Sequence, residues 1–165
     1  MSTSTHSPLE SKIKTSQQLK ALVPRLKKKG TSIAFTNGCF DILHYGHVRY
    51  LEEAKQLADI LVVGVNSDAS VKKIKGENRP IHSQENRLRV LAALASVDYV
   101  ALFNEATPLK LITMISPDVL VKGGDWSIEK IVGADFVKSY GGKVAAIPYV
   151  KGHSTSSIIE RIQRG

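Results

Sequence analysis

Two histidines three positions apart around a glycine, His44-Tyr45-Gly46-His47, are the residues of this chain best suited to chemistry. They follow a short run with strand propensity, Ser32-Ile33-Ala34-Phe35. They precede Val48, Leu51, Ala54, Leu57 and Ala58, which fall near helical spacing, so they join a strand to a helix. The start of a helix presents unpaired N–H groups and the positive end of its dipole, and glycine lets a phosphate come close to the backbone. Two imidazoles aimed at a phosphate can stabilise charge that grows there in a transition state, the main device open to an enzyme of phosphoryl or nucleotidyl transfer. No protein nucleophile is then required. Zinc ligation by the pair is the weaker reading, because Cys39 is the only thiol and no other cluster has metal spacing. Cys39 has no evident activating partner and reads as a small buried loop residue.

The elements that must hold this junction alternate between strands and helices. Residues 1–15 read as a loosely attached arm and 16–165 as one domain. Leu19, Leu22, Val23 and Leu26 predict a helix that Pro24 should kink or split. Strands are expected at 32–36, 60–65, 97–103, 119–122 and 143–148. Helices are expected from Gly46 to Ala58, after Ser83, after Thr107-Pro108, near 133–140 and over 156–163. Lys72 to Ser83, polar and interrupted by Gly76 and Pro80, reads as a mobile loop. The fold class that follows is α/β, a Rossmann-like doubly wound parallel sheet of about five strands with helices on both faces.

Such sheets bind ligands beyond the carboxyl ends of their strands, and the polar, glycine-rich segments fall there. Asn37 to His47 follows the first strand and Asn66-Ser67-Asp68 the second. Lys122-Gly123-Gly124-Asp125 follows the fourth, and Gly152-His153-Ser154-Thr155-Ser156 the fifth. Converged on one crevice, they outline a nucleotide site without a G-x-G-x-x-G or a G-x-x-x-x-G-K-[ST]. The net charge of +8 asks for an acidic partner, which could be nucleic acid, a membrane surface or a phosphorylated metabolite. Lys27-Lys28-Lys29 and Lys72-Lys73 with Lys75 are short and lack the interleaved aromatics of a single-strand binder, which disfavours nucleic acid. No apolar run approaches the roughly 18 residues of a membrane span. The polar first residues and the single cysteine point to the cytoplasm.

The run Thr36 to His47, with Gly38, Phe40-Asp41 and H-x-G-H, resembles the signature of the cytidylyltransferase-like branch of the nucleotidyltransferases. Asn66-Ser67-Asp68-Ala69-Ser70, Lys75-Gly76 with Arg79-Pro80, Val121 to Asp125 and Ser154 to Ile159 are most similar to the adenylyltransferases that act on D-glycero-β-D-manno-heptose 1-phosphate. The resemblance covers roughly residues 16 to 163. It implies transfer of AMP from ATP to the sugar 1-phosphate, with Mg²⁺ carried by the nucleotide, no metal held by protein ligands, and a homo-oligomer without nucleic acid or membrane as partner. His44 and His47 would contact the phosphates, with Arg87 supplying catalytic charge. Thr36, Asn37, Gly38, Phe40 and Gly46 would line the nucleotide near the α-phosphate. Lys122, Gly123, Gly124 and Asp125 would lie by ribose and base, and Ser154, Thr155 and Ser156 by the β and γ phosphates. Asn66, Asp68, Lys72 and Arg79 would face the sugar phosphate, as would Asp41, which also supports the loop. The related glycerol 3-phosphate cytidylyltransferases carry an arginine five residues before the serine of the last motif. Here that position is Tyr149, which favours ATP over CTP. A CTP-dependent enzyme for glycerol 3-phosphate and a basic binding module without chemistry are the alternatives.

Overall fold

The computed structural model describes residues 8–148, 150 and 152–165. Its frame is a five-stranded sheet in the order β3-β2-β1-β4-β5, with every pairing parallel. The strands are β1 (Ile33–Gly38), β2 (Ile60–Asn66), β3 (Tyr99–Phe103), β4 (Val119–Gly123) and β5 (Lys143–Ile147). The helices are α1 (Ser16–Lys28), α2 (Tyr45–Lys55), α3 (Asp68–Lys75), α4 (Gln84–Ala92), α5 (Leu109–Ile115), α6 (Ala134–Ser139) and α7 (Thr155–Gln163). Alternate residues of each strand enter opposite cores, as the pleat demands. Ile33, Phe35, Val62 and Leu120 pack with Leu19 and Val23 of α1, with Ile112 of α5 and with Val137 of α6. Ala34, Leu61, Val63 and Val121 pack with Leu51 and Ala54 of α2 and Leu91 of α4.

The chain runs outward from β1 to β2 and β3, then crosses back to β4 and β5, so its direction reverses between β1 and β4. Those two strands pair only at Ala34 with Val119 and Phe35 with Leu120. Each continues with its outer neighbour, β1 to Gly38 opposite Val65 and β4 to Gly123 opposite Ile147. Beyond Phe35 and Leu120 the central strands therefore part, and a crevice opens at their carboxyl ends, where a doubly wound sheet binds its ligands.

Three expectations change. Helix α1 continues through Pro24, because Leu19 and Val23 anchor it before the proline, the part-buried Leu26 packs on the same core after it, and a Thr15–Gln18 capping box fixes its start. Pro24 and Lys20, whose carbonyl loses its partner, both face solvent. The stretch read as a loop from Lys72 begins inside α3, which Ser67 caps by accepting the Ser70 N–H. The arm expected over 1–15 falls partly outside the described residues. From Leu9 onward it is docked: Leu9 and Ile13 pack on the core, Ile13 bridges to Val100, and the Lys12 ammonium donates to the Leu94 and Val97 carbonyls.

Gly64 in β2 leaves room for the Phe35 ring of the neighbouring strand beneath Leu111 of α5, since a Cβ there would stand 2.9 Å from Phe35 Cζ and 3.4 Å from Leu111 Cδ1. Gly64→Ala is expected to destabilise the protein by about 1–3 kcal/mol through overpacking, read as a lower urea midpoint at unchanged slope.

Candidate active site

Helix α2 begins directly after the loop that leaves β1. His44 is its first-turn acceptor: the His44 backbone is extended (φ −142°, ψ 171°), and its carbonyl accepts from the His47 and Val48 N–H groups at 2.9 and 3.3 Å. The His44 side chain makes no cap hydrogen bond. Instead its ring stacks on His47, with centroids 3.9 Å apart and planes 26° from parallel, while the buried Phe40 ring meets His47 edge-on at 5.4 Å. Gly46 makes the stack possible, because a Cβ there would lie 3.0 Å from His44 Cε1 and Nδ1. The glycine expected to admit a phosphate thus serves first to admit an imidazole.

Burial holds the His47 imidazole down to about 4, and the neighbouring charge of His44 adds to the effect. His44 is lowered as well, by burial and then by His153. Both rings are neutral at pH 7, each with one N–H to donate and one bare nitrogen. Their Nδ1 atoms are buried and have no hydrogen-bond partner among the described residues. A pair of fixed neutral donors is therefore presented at the start of a helix beside the open β1/β4 crevice.

The loop carrying these rings is held from behind. Arg87 of α4 has a side chain only 1% exposed, and each of its three nitrogens is engaged. Nε donates to the His82 carbonyl at 3.0 Å, one terminal nitrogen to the Cys39 carbonyl at 2.6 Å, and the other to Asp68 Oδ1 at 2.8 Å. Asp41, also buried, accepts from Arg79 Nε at 2.6 Å and from the Ile81 and His82 N–H groups at 2.8 Å. Burial pushes its carboxyl up, but the His82 and Ile81 amides and the Arg79 guanidinium outweigh that and hold it below the usual carboxylate range.

These bonds correct several expected roles. Arg87 positions three loops and brings no free charge to a substrate. Asp41 is taken up by Arg79 Nε and the Ile81 and His82 amides, which is the loop-supporting role and not the sugar-phosphate one, while Arg79 engages it through Nε alone. Asn66 is buried, donating to Ser70 Oγ at 3.0 Å, and Thr36 is buried in a hydroxyl pair with Tyr50, so both side chains are bonded within the protein. Asp68 is tied to Arg87 and, through its N–H, to Gln84. Lys72 is exposed in the last turn of α3.

The remaining strand ends do meet at the crevice. Asn37 and Gly38 end β1, and Lys122 and Gly123 end β4 across the gap. Lys122 is half-buried, its ammonium 5.9 Å above the Trp126 ring; burial lowers its pKa. Gly124 N–H donates to the Ile147 carbonyl at 2.8 Å and turns Asp125 and the exposed Trp126 outward. At α7, Ser154 Oγ accepts from Ser157 N–H at 3.1 Å, Thr155 Oγ1 donates to the Ile42 carbonyl at 3.3 Å, and Ser156 is exposed. The start of α7 thereby abuts the β1–α2 loop. Tyr149 lies outside the described residues. Sequence reasoning assigned no role to His153 or Trp126, which no motif spacing singles out. A groove of about 490 Å³ at the other end of the sheet, lined by residues including Ser32, Asp118 and Tyr140, contains none of the expected site residues.

A doubly wound sheet that opens at its switch point, with two helix starts and stacked imidazoles around the opening, defines a nucleotide-binding α/β protein. Residues 35–161 match the cytidylyltransferase-like family, and the chain belongs to it. It is 51% identical over 153 residues to "Bifunctional protein HldE" of Syntrophotalea carbinolica and 54% identical over 153 residues to the protein of that name in Citrifermentans bemidjiense. Each alignment takes in 93% of this chain and 31% of the relative, so the chain spans about a third of the length of these relatives. The lipopolysaccharide core biosynthesis protein of Thermoplasma volcanium superposes with a TM-score of 0.59 at 32% identity, over 75% of this chain and 100% of that one. Pantothenate synthetase of Thermus thermophilus shares the fold, with a TM-score of 0.64 at 17% identity over 89% of this chain and 67% of that one.

Two predictions follow from the bonding. Arg87→Ala, which strands a carboxylate and two carbonyls, is expected to cost about 3 kcal/mol in urea unfolding and to speed proteolysis of the 76–83 segment. Because His47 is depressed in the folded state, its contribution to stability is complete above the ordinary imidazole value near 6.5 and is lost as pH falls towards about 4. Unfolding midpoints measured between pH 7 and 4.5 should fall with acid, and His47→Asn should flatten that fall.

Proposed function

We propose that this chain transfers the AMP part of ATP to D-glycero-β-D-manno-heptose 1-phosphate, giving ADP-heptose and pyrophosphate. The observation that carries the reading is the stacked pair of neutral imidazoles, with unpartnered Nδ1 atoms, at the helix start beside the splayed central strands. The identity to bifunctional relatives, more than 50% over nearly the whole of this chain and about a third of theirs, supports the choice within the family. A phosphate oxygen of the sugar 1-phosphate attacks the α-phosphorus in line, and the bond from that phosphorus to the β-phosphate bridging oxygen breaks. Pyrophosphate leaves with the electron pair. His44 and His47 donate to oxygens whose charge grows at the α-phosphate, and the Lys122 ammonium adds positive field across the crevice. The amides at the start of α7 receive the β and γ phosphates.

Mg²⁺ enters as part of the nucleotide substrate and neutralises triphosphate charge. Among the described residues no group of three histidine, cysteine, aspartate or glutamate side chains is placed to hold an ion, and the Asp41 oxygens are already bonded to protein. The same reading makes residues 16–165 one nucleotidyltransferase domain acting in the cytoplasm as a homo-oligomer, with neither nucleic acid nor membrane as partner. Among the described residues no helix is long and apolar enough to cross a membrane.

The test is pyrophosphate release with Mg²⁺, ATP or CTP, and a panel of heptose 1-phosphate, other sugar 1-phosphates and glycerol 3-phosphate. Release with ATP and heptose 1-phosphate is expected, with His44→Ala and His47→Ala each lowering kcat/KM by roughly 100- to 1,000-fold at a retained melting temperature. Release with CTP and glycerol 3-phosphate alone would replace the substrates, and silence across the panel would overturn the reading.

A further inference from the structure

His153 lies directly before Ser154, the residue that caps α7, and belongs to no part of the site derived so far. Its ring is 6.3 Å from that of His44 and 25° from parallel, and Tyr45 meets it edge-on at 5.5 Å. His153, His44 and His47 thus form a row of three imidazoles that leads from the start of α7 to the part-buried start of α2. The row is held at both ends. Thr155 Oγ1 fastens α7 to the Ile42 carbonyl, and a Cβ on Gly46 would come within 3.3 Å of His153 Cβ, so the missing side chain leaves the gap the row needs. The electrostatic coupling is direct, since positive charge on His153 opposes charge on His44.

The two inner rings are part-buried, with their Nδ1 atoms enclosed. His153 is exposed and its ring makes no hydrogen bond to protein among the described residues. It stands at the mouth, beside the α7 amides. We propose that His153 is a further polyphosphate contact of this site, donating from its imidazole to the β- or γ-phosphate oxygens of the bound nucleotide and to the pyrophosphate that departs. This rests on the nucleotidyltransferase reading and adds a residue to it. Its position outside the H-x-G-H pair divides the labour: the inner pair serves the reacting phosphorus, and the outer ring serves the leaving group and its binding.

The experiment compares the full chain with His153→Ala and His153→Arg, using inorganic tripolyphosphate in calorimetric titration alongside the KM for ATP. Tripolyphosphate carries neither base nor acceptor, so it reports the contact separately from the choice of substrate. His153→Ala is expected to weaken tripolyphosphate binding about tenfold and to raise the ATP KM by a similar factor, more than it changes kcat, and His153→Arg should restore both. Unchanged tripolyphosphate binding in His153→Ala, or His153→Arg no better than His153→Ala, would overturn the proposal even with turnover intact. A wild-type chain that releases no pyrophosphate on the panel yet binds tripolyphosphate in a His153-dependent way would sink the substrate reading and uphold the contact.

Discussion

The Arg87 guanidinium is the interaction on which the site depends. A buried cation is tolerated only where every donor has a partner, and here the partners come from three separate stretches of chain: the Cys39 carbonyl after β1, Asp68 after β2 and the His82 carbonyl before α4. Satisfying one side chain therefore fixes the relative placement of three strand-end segments. Asp41 does the reverse with a buried anion, drawing in Arg79 and the amides of Ile81 and His82. The His82 peptide is gripped on both sides, its carbonyl by Arg87 and its N–H by Asp41. Neither ion needs to touch a substrate to matter. Together they make the loop between β1 and α2 a rigid platform, which a pair of stacked donors requires if it is to stabilise a transition state without reorganising.

On that platform two kinds of electrostatics are kept apart. His44 and His47 are neutral because burial penalises their charged forms, with His153 adding to the effect on His44 and His44 to that on His47, so they act through direction and distance. The chain's excess of cations is mostly at the surface, in Lys27-Lys28-Lys29 and in α3, where it gathers anions over a longer range and is screened by salt. Lys122 stands between the two, an ammonium half-buried at the end of β4 with an aromatic ring beneath it.

The frame was legible in the sequence because it depends on apolar pattern. The continuous apolar run at Ile60 to Val65 announced a strand covered on both faces, and the glycine and polar segments after each strand marked the carboxyl ends correctly. The roles of single charged residues were less legible. Arg87 and Asp41 read as ligands because charged side chains are costly to bury. Whether one is buried with a full set of partners depends on residues 19 and 38 to 41 positions away, which periodicity does not report. Helix α3 was missed for a local reason: its lysines and the glycine that ends it resemble a loop, and only Ser67 and Val71 betray a cap and a buried face. Pro24 misled in the opposite sense, because the helix around it is held by tertiary packing rather than by propensity.

Gly46 joins the two levels of the argument. As a sequence signal it stands for a phosphate near a helix start; in the fold its missing side chain is the space into which the His44 ring turns and against which His153 sits. These uses are compatible. The His44 ring lies 3.0 Å from where a Gly46 Cβ would stand and makes no cap hydrogen bond, so it sits beside the helix start, whose dipole attracts an anion, without consuming its amides. The glycine thus lets one small volume hold both a dipole and a side-chain donor. A residue with a Cβ would force a choice between them, which is the physical content of the spacing H-x-G-H in this chain.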